Sequence, residues 1–347
     1  MTAPSFERFD YQLRSNKHVE RKLIFDFLVR ARKSFDFSTY SYLGLGSLWF
    51  ADHRLAHRLL DIDDLISLEA AENADRAIFN KPYGSIKVHA GLSHEVLPTW
   101  PEKDWERPKI AWMDYDGNLD TDVVSDITLL SQRLEVNSVL LVTVNANFQN
   151  YRIKQNAVEA ASKRNIILDP RAIAMLAQLL GDAVPENYLN RVEPGRSKPV
   201  DVKEKDFASV FAECLLNFFS HKVTVSGRQS GEDLLRFVPL FNFCHKDGVE
   251  MITVGGAITS SADFEKWVSI LTNEALFGSE NGVPTHQRLD LIPITLKEKL
   301  ILDAILPTDD ADFDLKTAES GLKIGNEQAK KYKKHYRHFP TFVETPI

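Results

Sequence analysis

The sequence predicts an α/β fold, a parallel sheet completed by an antiparallel hairpin, and three observations predict it. Short apolar strand-like runs alternate with amphipathic helix-like runs through the first half of the chain, the order that right-handed βαβ units require. The first of those strands closes on Gly44-Leu45-Gly46 and leads into a helix. Late in the chain two apolar arms flank Asp247-Gly248, the short-range signal of a hairpin turn.

The 347 residues suffice for an α/β core with substantial additions, and 44% hydrophobic composition can fill it. A formal charge of −7 draws the molecule toward neither nucleic acid nor membrane, so any basic patch is local. Two cysteines, Cys214 and Cys244, are too few for a disulfide framework or a thiolate zinc site. The charged start MTAPSFERFDYQLRSNKH is unlike a signal peptide, and no apolar run reaches the ~20 residues of a membrane span. A cytoplasmic protein with no membrane partner is expected.

In chain order, a helix opens over Asn16 to Arg32. Val19, Leu23 and Phe27 mark its apolar stripe, while Lys17, Glu20 and Arg21 read as a charged outer face. Strands are expected at Tyr40 to Leu43, Leu65 to Leu68, Ile86 to His89, Ile110 to Met113 and Val139 to Val144, short and apolar as buried parallel strands are. Crossover helices fall at Leu48 to Leu60 and Val123 to Leu134. A helix-rich stretch interrupted by the charged, proline-bearing VPENYLNRVEPGRSKPVDVKEKD reads as an insertion. The hairpin follows, with Pro239 in its first arm; proline cannot serve a ladder on both sides, so that arm is expected outermost. Thr295-Leu296-Lys297-Glu298 is a capping box, and Pro307 stops the helix it begins. The domain reading is therefore an N-terminal helical segment (1–36), a core (37–147 plus 236–258), a helical insertion (148–235) and a C-terminal helical extension (259–347).

Gly44-Leu45-Gly46-Ser47 has the first two glycines of a dinucleotide fingerprint, but Trp49 stands where the third would pack, which argues against a nicotinamide cofactor. Glycines there still let backbone amides approach a ligand; a tight steric turn is the plainer reading. Glu69, about 20 residues farther on at the next strand's end, is placed to accept ribose hydroxyls. The loop after the third strand brings Ser93 to the same edge. The fourth strand delivers Asp114-Tyr115-Asp116-Gly117-Asn118. Asp114 and Asp116 are candidates to orient an acceptor or take its proton, against a reading as loop start and helix cap, with Asp120 beginning the next helix.

These residues resemble the class I S-adenosylmethionine-dependent methyltransferases, and more closely a bacterial group of O-methyltransferases of unassigned substrate. The segments concerned are RSNKHVERK (14–22), YLGLGSLWFADHRLAHR (42–58), SLEAAENADRAIFNKPY (67–83), WMDYDGNL (112–119) and TLKEKLILDAILP (295–307). The resemblance implies a Rossmann-like methyltransferase sheet, five parallel strands plus a C-terminal antiparallel hairpin, with S-adenosylmethionine as cofactor. It implies Gly44 and Gly46 as the cofactor loop, Glu69 as the ribose-binding acid and Asp114 as the residue facing the methyl group or acceptor; Ser47 and Ser93 are expected to join the cofactor wall, and Asp114, with Asp116 second, to serve catalysis. It also raises a reading of Lys17, Glu20 and Arg21 as part of a lid. No Asn/Asp-Pro-Pro-aromatic motif follows the fourth strand, which speaks against methylation of base amines in DNA.

His53 and His57 are four apart but lie beside Arg54 and Arg58, so a metal is not expected there; a solvated or capping face is. Asn145 and Asn147 read as a turn after the fifth strand. KKYKKHYRHFP near the C-terminus interleaves cations with aromatic rings, a pattern that suits a nucleic-acid or protein partner. Pairing with the acidic TDDADFD upstream is the simpler reading. The expected function is methyl transfer from S-adenosylmethionine to an oxygen or nitrogen acceptor. The alternative is a non-catalytic adenosyl-ligand sensor or scaffold that presents the insertion and the C-terminal helices to a protein or nucleic-acid partner. The sequence leaves homo-oligomerisation open.

Overall fold

The computed structural model describes residues 15–340, apart from 232, 274–278 and 281–282. Residues 1–14 of the expected N-terminal segment and 341–347 of the expected C-terminal extension lie outside the described residues.

Five strands, β1 (Ser41–Leu45), β2 (Asp64–Glu69), β3 (Ile86–Ala90), β4 (Lys109–Asn118) and β5 (Val139–Asn145), run parallel. The hairpin arms are β6 (Arg236–Lys246) and β7 (Glu250–Thr259), with Gly248 at φ 105° in the turn. With β8 (Gln287–Leu289) they complete one eight-stranded sheet in the order β8-β6-β7-β5-β4-β1-β2-β3. Only β7 runs against its neighbours. The chain leaves β1 toward β2 on one side and returns to β4 on the other, which opens a crevice at the carboxyl ends of β1 and β4.

The helices packed on this sheet are α1 (Ser15–Ala31), α2 (Ala51–Leu60), α3 (Thr121–Arg133), α4 (Ala172–Leu180), α5 (Glu204–Val225), α6 (Ser261–Thr272), α7 (Leu296–Ile305), α8 (Asp310–Glu319) and α9 (Asn326–His335). β5 shows why two layers are needed: Leu140, Val142 and Val144 enter one apolar core while Val139 and Leu141 enter the other. The first core is closed by α3, α4 and α5, including Ile127, Leu176 and Phe211. The second is closed by α1, α2, α6 and the C-terminal helices, including Phe27, Leu60 and Trp267. Within 148–235, α5 is thus part of the layer that covers the sheet, since Phe207, Phe211 and Phe219 share a core with the strands.

The structure corrects three expectations. The first hairpin arm is not outermost, because β8 pairs with Phe243, Cys244 and His245. Pro239 instead sits at a register shift between Pro239 and Phe241, where a missing donor is also tolerated. β4 continues through Asn118 with an irregularity after Asp114, so its polar end is strand rather than the start of a loop. The charged side of α1 does not face water: Lys17, Glu20 and Arg21 are 3%, 0% and 4% exposed. The sequence pattern misleads there because these charges find partners on the sheet and on α2.

Candidate active site

The crevice holds a cavity of about 480 Å³ lined by Gly46, Ser47, Glu69, Ser93, Asp114 and Asp116. Arg21, raised above as part of a lid, lines it too, as do Asp52 and Asp126, which the sequence reading passed over. Gly46 follows β1, and its N–H donates to the Leu68 carbonyl at 3.0 Å. A Cβ there would stand 1.9 Å from Glu69 Oε1 and 2.1 Å from Ser67 Oγ, so only glycine leaves room for these two polar groups. Both atoms are buried without a hydrogen-bond partner among the described residues. Burial pushes the Glu69 carboxyl up to about 7. A carboxylate oxygen and a hydroxyl left unpaired in a cavity are what a ligand's hydroxyls would satisfy. These residues therefore fit the ribose of an adenosyl cofactor.

Asp114 ends the buried part of β4 and is held by α1. Its Oδ1 accepts from Lys17 Nζ at 2.9 Å. Lys17 also lies 3.0 Å from Glu20 Oε2 and donates to Thr143 Oγ1 at 3.3 Å. Its ammonium stands 4.9 Å from the centre of the Trp112 ring. Burial works against the Lys17 charge, but Asp114 and Glu20 outweigh it and raise the group above its usual range. Burial likewise opposes charge on Glu20; Lys17 and then His245, 3.4 Å away, hold it far below the ordinary carboxylate value. For Asp114, burial wins over the pull of Lys17, helped by Asp52 and Asp116, and its carboxyl is raised. Arg21 pairs through Nε with Asp52, the first acid of α2. Asp247 of the hairpin turn fixes the start of α1, accepting from Lys17 N at 2.9 Å and Asn16 Nδ2 at 2.7 Å.

On the opposite wall the Ser93 hydroxyl donates to Asp126 Oδ2, which also accepts from Tyr115 Oη at 2.7 Å. Ser93 is therefore committed to a side chain as well as lining the cavity. Asp126 carried a signal: it falls on the Val123, Ile127, Leu130 stripe of α3, where a carboxylate needs a reason. Asp52 carried none, because its meeting with Arg21 depends on how α1 crosses α2.

The remaining candidates fall elsewhere. Gly44 lies inside β1, paired with Ser67 and Trp112, and does not line the cavity; its missing Cβ makes room for the Tyr42 ring. His53 is neither solvated nor a cap: it is 2% exposed, and its Nε2 meets the Ile66 carbonyl at 3.0 Å. His57 Nδ1 meets the Ile62 carbonyl at 3.1 Å. Asp120 caps α3, accepting from Asp122 N and Val123 N. Asn145 and Asn147 make turns, each accepting from the backbone N–H two residues on. In the C-terminal tail Lys330, Lys331 and Lys333 pair with Asp314, Asp290 and Asp310, while Tyr332 and Phe339 are buried. Two of those acids belong to the expected acidic stretch.

A doubly covered, mostly parallel sheet with an acid-lined cleft at its switch point is the architecture of a ligand-binding α/β protein. The chain belongs to the family described as "Putative O-methyltransferase", whose model matches residues 9–347. That membership agrees with the expected class, S-adenosylmethionine-dependent methyl transfer. No curated protein matches the sequence. Among solved structures the chain is similar to a geranyl diphosphate methyltransferase in complex with GPP and sinefungin, at 10% identity and TM-score 0.32 over 68% of this chain and 77% of that one. It is similar to the plantazolicin methyltransferase BamL in complex with a triazolic desmethylPZN analog and SAH, at 13% and 0.33 over 71% and 88%. A third is the apo methyltransferase SibL, at 9% and 0.32 over 69% and 55%. Likeness this remote says nothing of the acceptor. No helix among the described residues is long and apolar enough to cross a membrane.

Proposed function

We propose that the chain binds S-adenosylmethionine over Gly46, with Glu69 and Ser67 receiving the ribose hydroxyls, and methylates an oxygen or nitrogen acceptor that Asp114 orients. The observation that carries this reading is the unpaired Glu69 Oε1 beside a glycine that alone leaves room for it. The sulfonium of the bound donor supplies an activated methyl group, so the protein's task is chiefly positioning. Asp114, raised by burial and lining the cleft, is the group to accept the acceptor's proton, with Asp116 farther along the same strand. Lys17 fixes the Asp114 carboxylate from behind, through α1. Ser47 and Ser93 complete the cofactor wall.

Residues 37–147 and 236–258 form the catalytic core in this reading. The paired Lys330, Lys331 and Lys333 and the buried Tyr332 and Phe339 favour this reading over a scaffold that acts through the tail. A cytoplasmic place fits two free, buried cysteines, whose thiols burial pushes up to about 12. Calorimetric titration with S-adenosylmethionine and S-adenosylhomocysteine, NADH as control, tests the reading. Saturable adenosyl binding weakened in Glu69→Ala is expected; its absence in folded protein, with no ligand carried through purification, would refute the assignment.

A further inference from the structure

A second cavity of about 480 Å³ lies between α1 and α2. Arg21 and Ala51 line both it and the cofactor cleft, so the two share a wall. Its polar lining is entirely basic: His18, Arg21 and Lys22 from α1, Arg54 and Arg58 from α2. No carboxylate lines it, and Lys22, Arg54 and Arg58 have no ion-pair partner among the described residues. Arg54 and Arg58, four apart on one helix, repel each other. Two nitrogens are buried and unsatisfied, His18 Nε2 and the Arg21 Nη1 donor, and Arg21 as a residue is 4% exposed. Burial, then Lys22 and Arg21, hold His18 down to about 4. Leu55 and Leu59 supply an apolar side.

We infer that this groove is the acceptor subsite and that the methyl acceptor is a small amphipathic anion, its phosphate or carboxylate group held by Arg21, Arg54 and Arg58 and its body against Leu55 and Leu59. Planar guanidinium groups suit either oxyanion. The shared Arg21 wall brings the acceptor's other end toward Asp114. The inference rests on the proposed methyltransferase reading and narrows its substrate class.

The test is calorimetric titration of the whole protein, saturated with S-adenosylhomocysteine, with phenyl phosphate, benzoate and neutral benzyl alcohol. The wild type and Arg54→Gln/Arg58→Gln are compared; both arginines are on the exposed side of α2. The inference expects phenyl phosphate or benzoate, whichever is the better anion, to bind at least about tenfold more tightly than the alcohol. It expects the double variant to lose that preference while S-adenosylhomocysteine affinity is unchanged. Adenosyl binding without anion preference, or an anion preference that survives in the variant, overturns the inference and leaves the methyltransferase reading intact. Anion binding without adenosyl binding removes the acceptor role by removing the reading beneath it. A preference for phenyl phosphate over benzoate, or the reverse, tells the two acceptor chemistries apart.

Discussion

Lys17 Nζ stands 2.9 Å from Asp114 Oδ1, so the N-terminal helix reaches across the sheet and grips the strand end that faces the cleft. The contact couples a carboxylate proposed for catalysis to a charge buried against Trp112 and Thr143. It gives the N-terminal helix a role in the site as well as in the second core.

Asp114→Asn keeps the shape and a hydrogen-bond acceptor for Lys17 but removes the base. Turnover should fall by about 10²- to 10⁴-fold, the usual contribution of general base catalysis. S-adenosylhomocysteine affinity should change by less than about threefold. Release of S-adenosylhomocysteine with an acceptor found by screening measures the first, and calorimetry the second. Full activity in the variant would place the proton acceptor elsewhere.

Lys17→Met removes the cation that Glu20 and Asp114 share. Glu20 is 0% exposed, so its charge is left in a dry site beside His245 and Thr253. Breaking a buried pair from one side typically costs about 3–5 kcal/mol. Denaturant unfolding should show a loss of that order, and a loss below about 1 kcal/mol would mean that water reaches the network. Glu20 is held below its ordinary value, so its contribution is present above about pH 4.5 and fades as pH falls below that.

Glu69 works with the opposite sign. Its carboxyl is raised from 4.5 to about 7, so the folded state holds a proton that the unfolded chain releases. Stability should therefore decline between about pH 4.5 and about 7, by on the order of 3 kcal/mol. Ligand hydroxyls favour the carboxylate, so adenosyl affinity should rise over the same upper range. Glu69→Gln should flatten both profiles. Unfolding and calorimetric series across pH, with and without S-adenosylhomocysteine, check this, and an unchanged slope in the variant would assign the titration to another group.

The five parallel strands and the hairpin were legible because buried strands are apolar on both faces and Asp247-Gly248 announces its turn. The strand-end residues Glu69 and Asp114 were legible for the same reason: a polar group ending an apolar run stands out. The α1 charges were not, because a lysine, a glutamate and an arginine off the apolar stripe look solvated until the partner surface is known. β1 runs two residues past its expected end, through Leu45, so Gly44 serves packing and, of the two glycines, Gly46 meets the cleft. β8 escaped notice because three residues, Gln287 to Leu289, carry no periodicity to read.

That distinction between the two glycines is itself testable. At position 46 an added methyl would meet Glu69 Oε1 at 1.9 Å and Glu69 Cδ at 2.8 Å, so the carboxylate must leave its place against the backbone. At position 44 the nearest atom is Tyr42 Cε1 at 3.0 Å, in a ring packed beside His53, and the cleft is untouched. Gly46→Ala should therefore weaken S-adenosylhomocysteine binding by about tenfold or more, since a displaced Glu69 forfeits its charge-assisted hydrogen bonds. The displaced carboxylate also regains water, so the raised Glu69 titration should move back toward 4.5 in the same variant. Gly44→Ala should lower stability by about 1–3 kcal/mol through overpacking and leave affinity within about twofold. Calorimetry and denaturant unfolding on both variants separate the outcomes. Equal loss of binding in the two would mean that the whole turn, rather than the space beside Glu69, shapes the cofactor site.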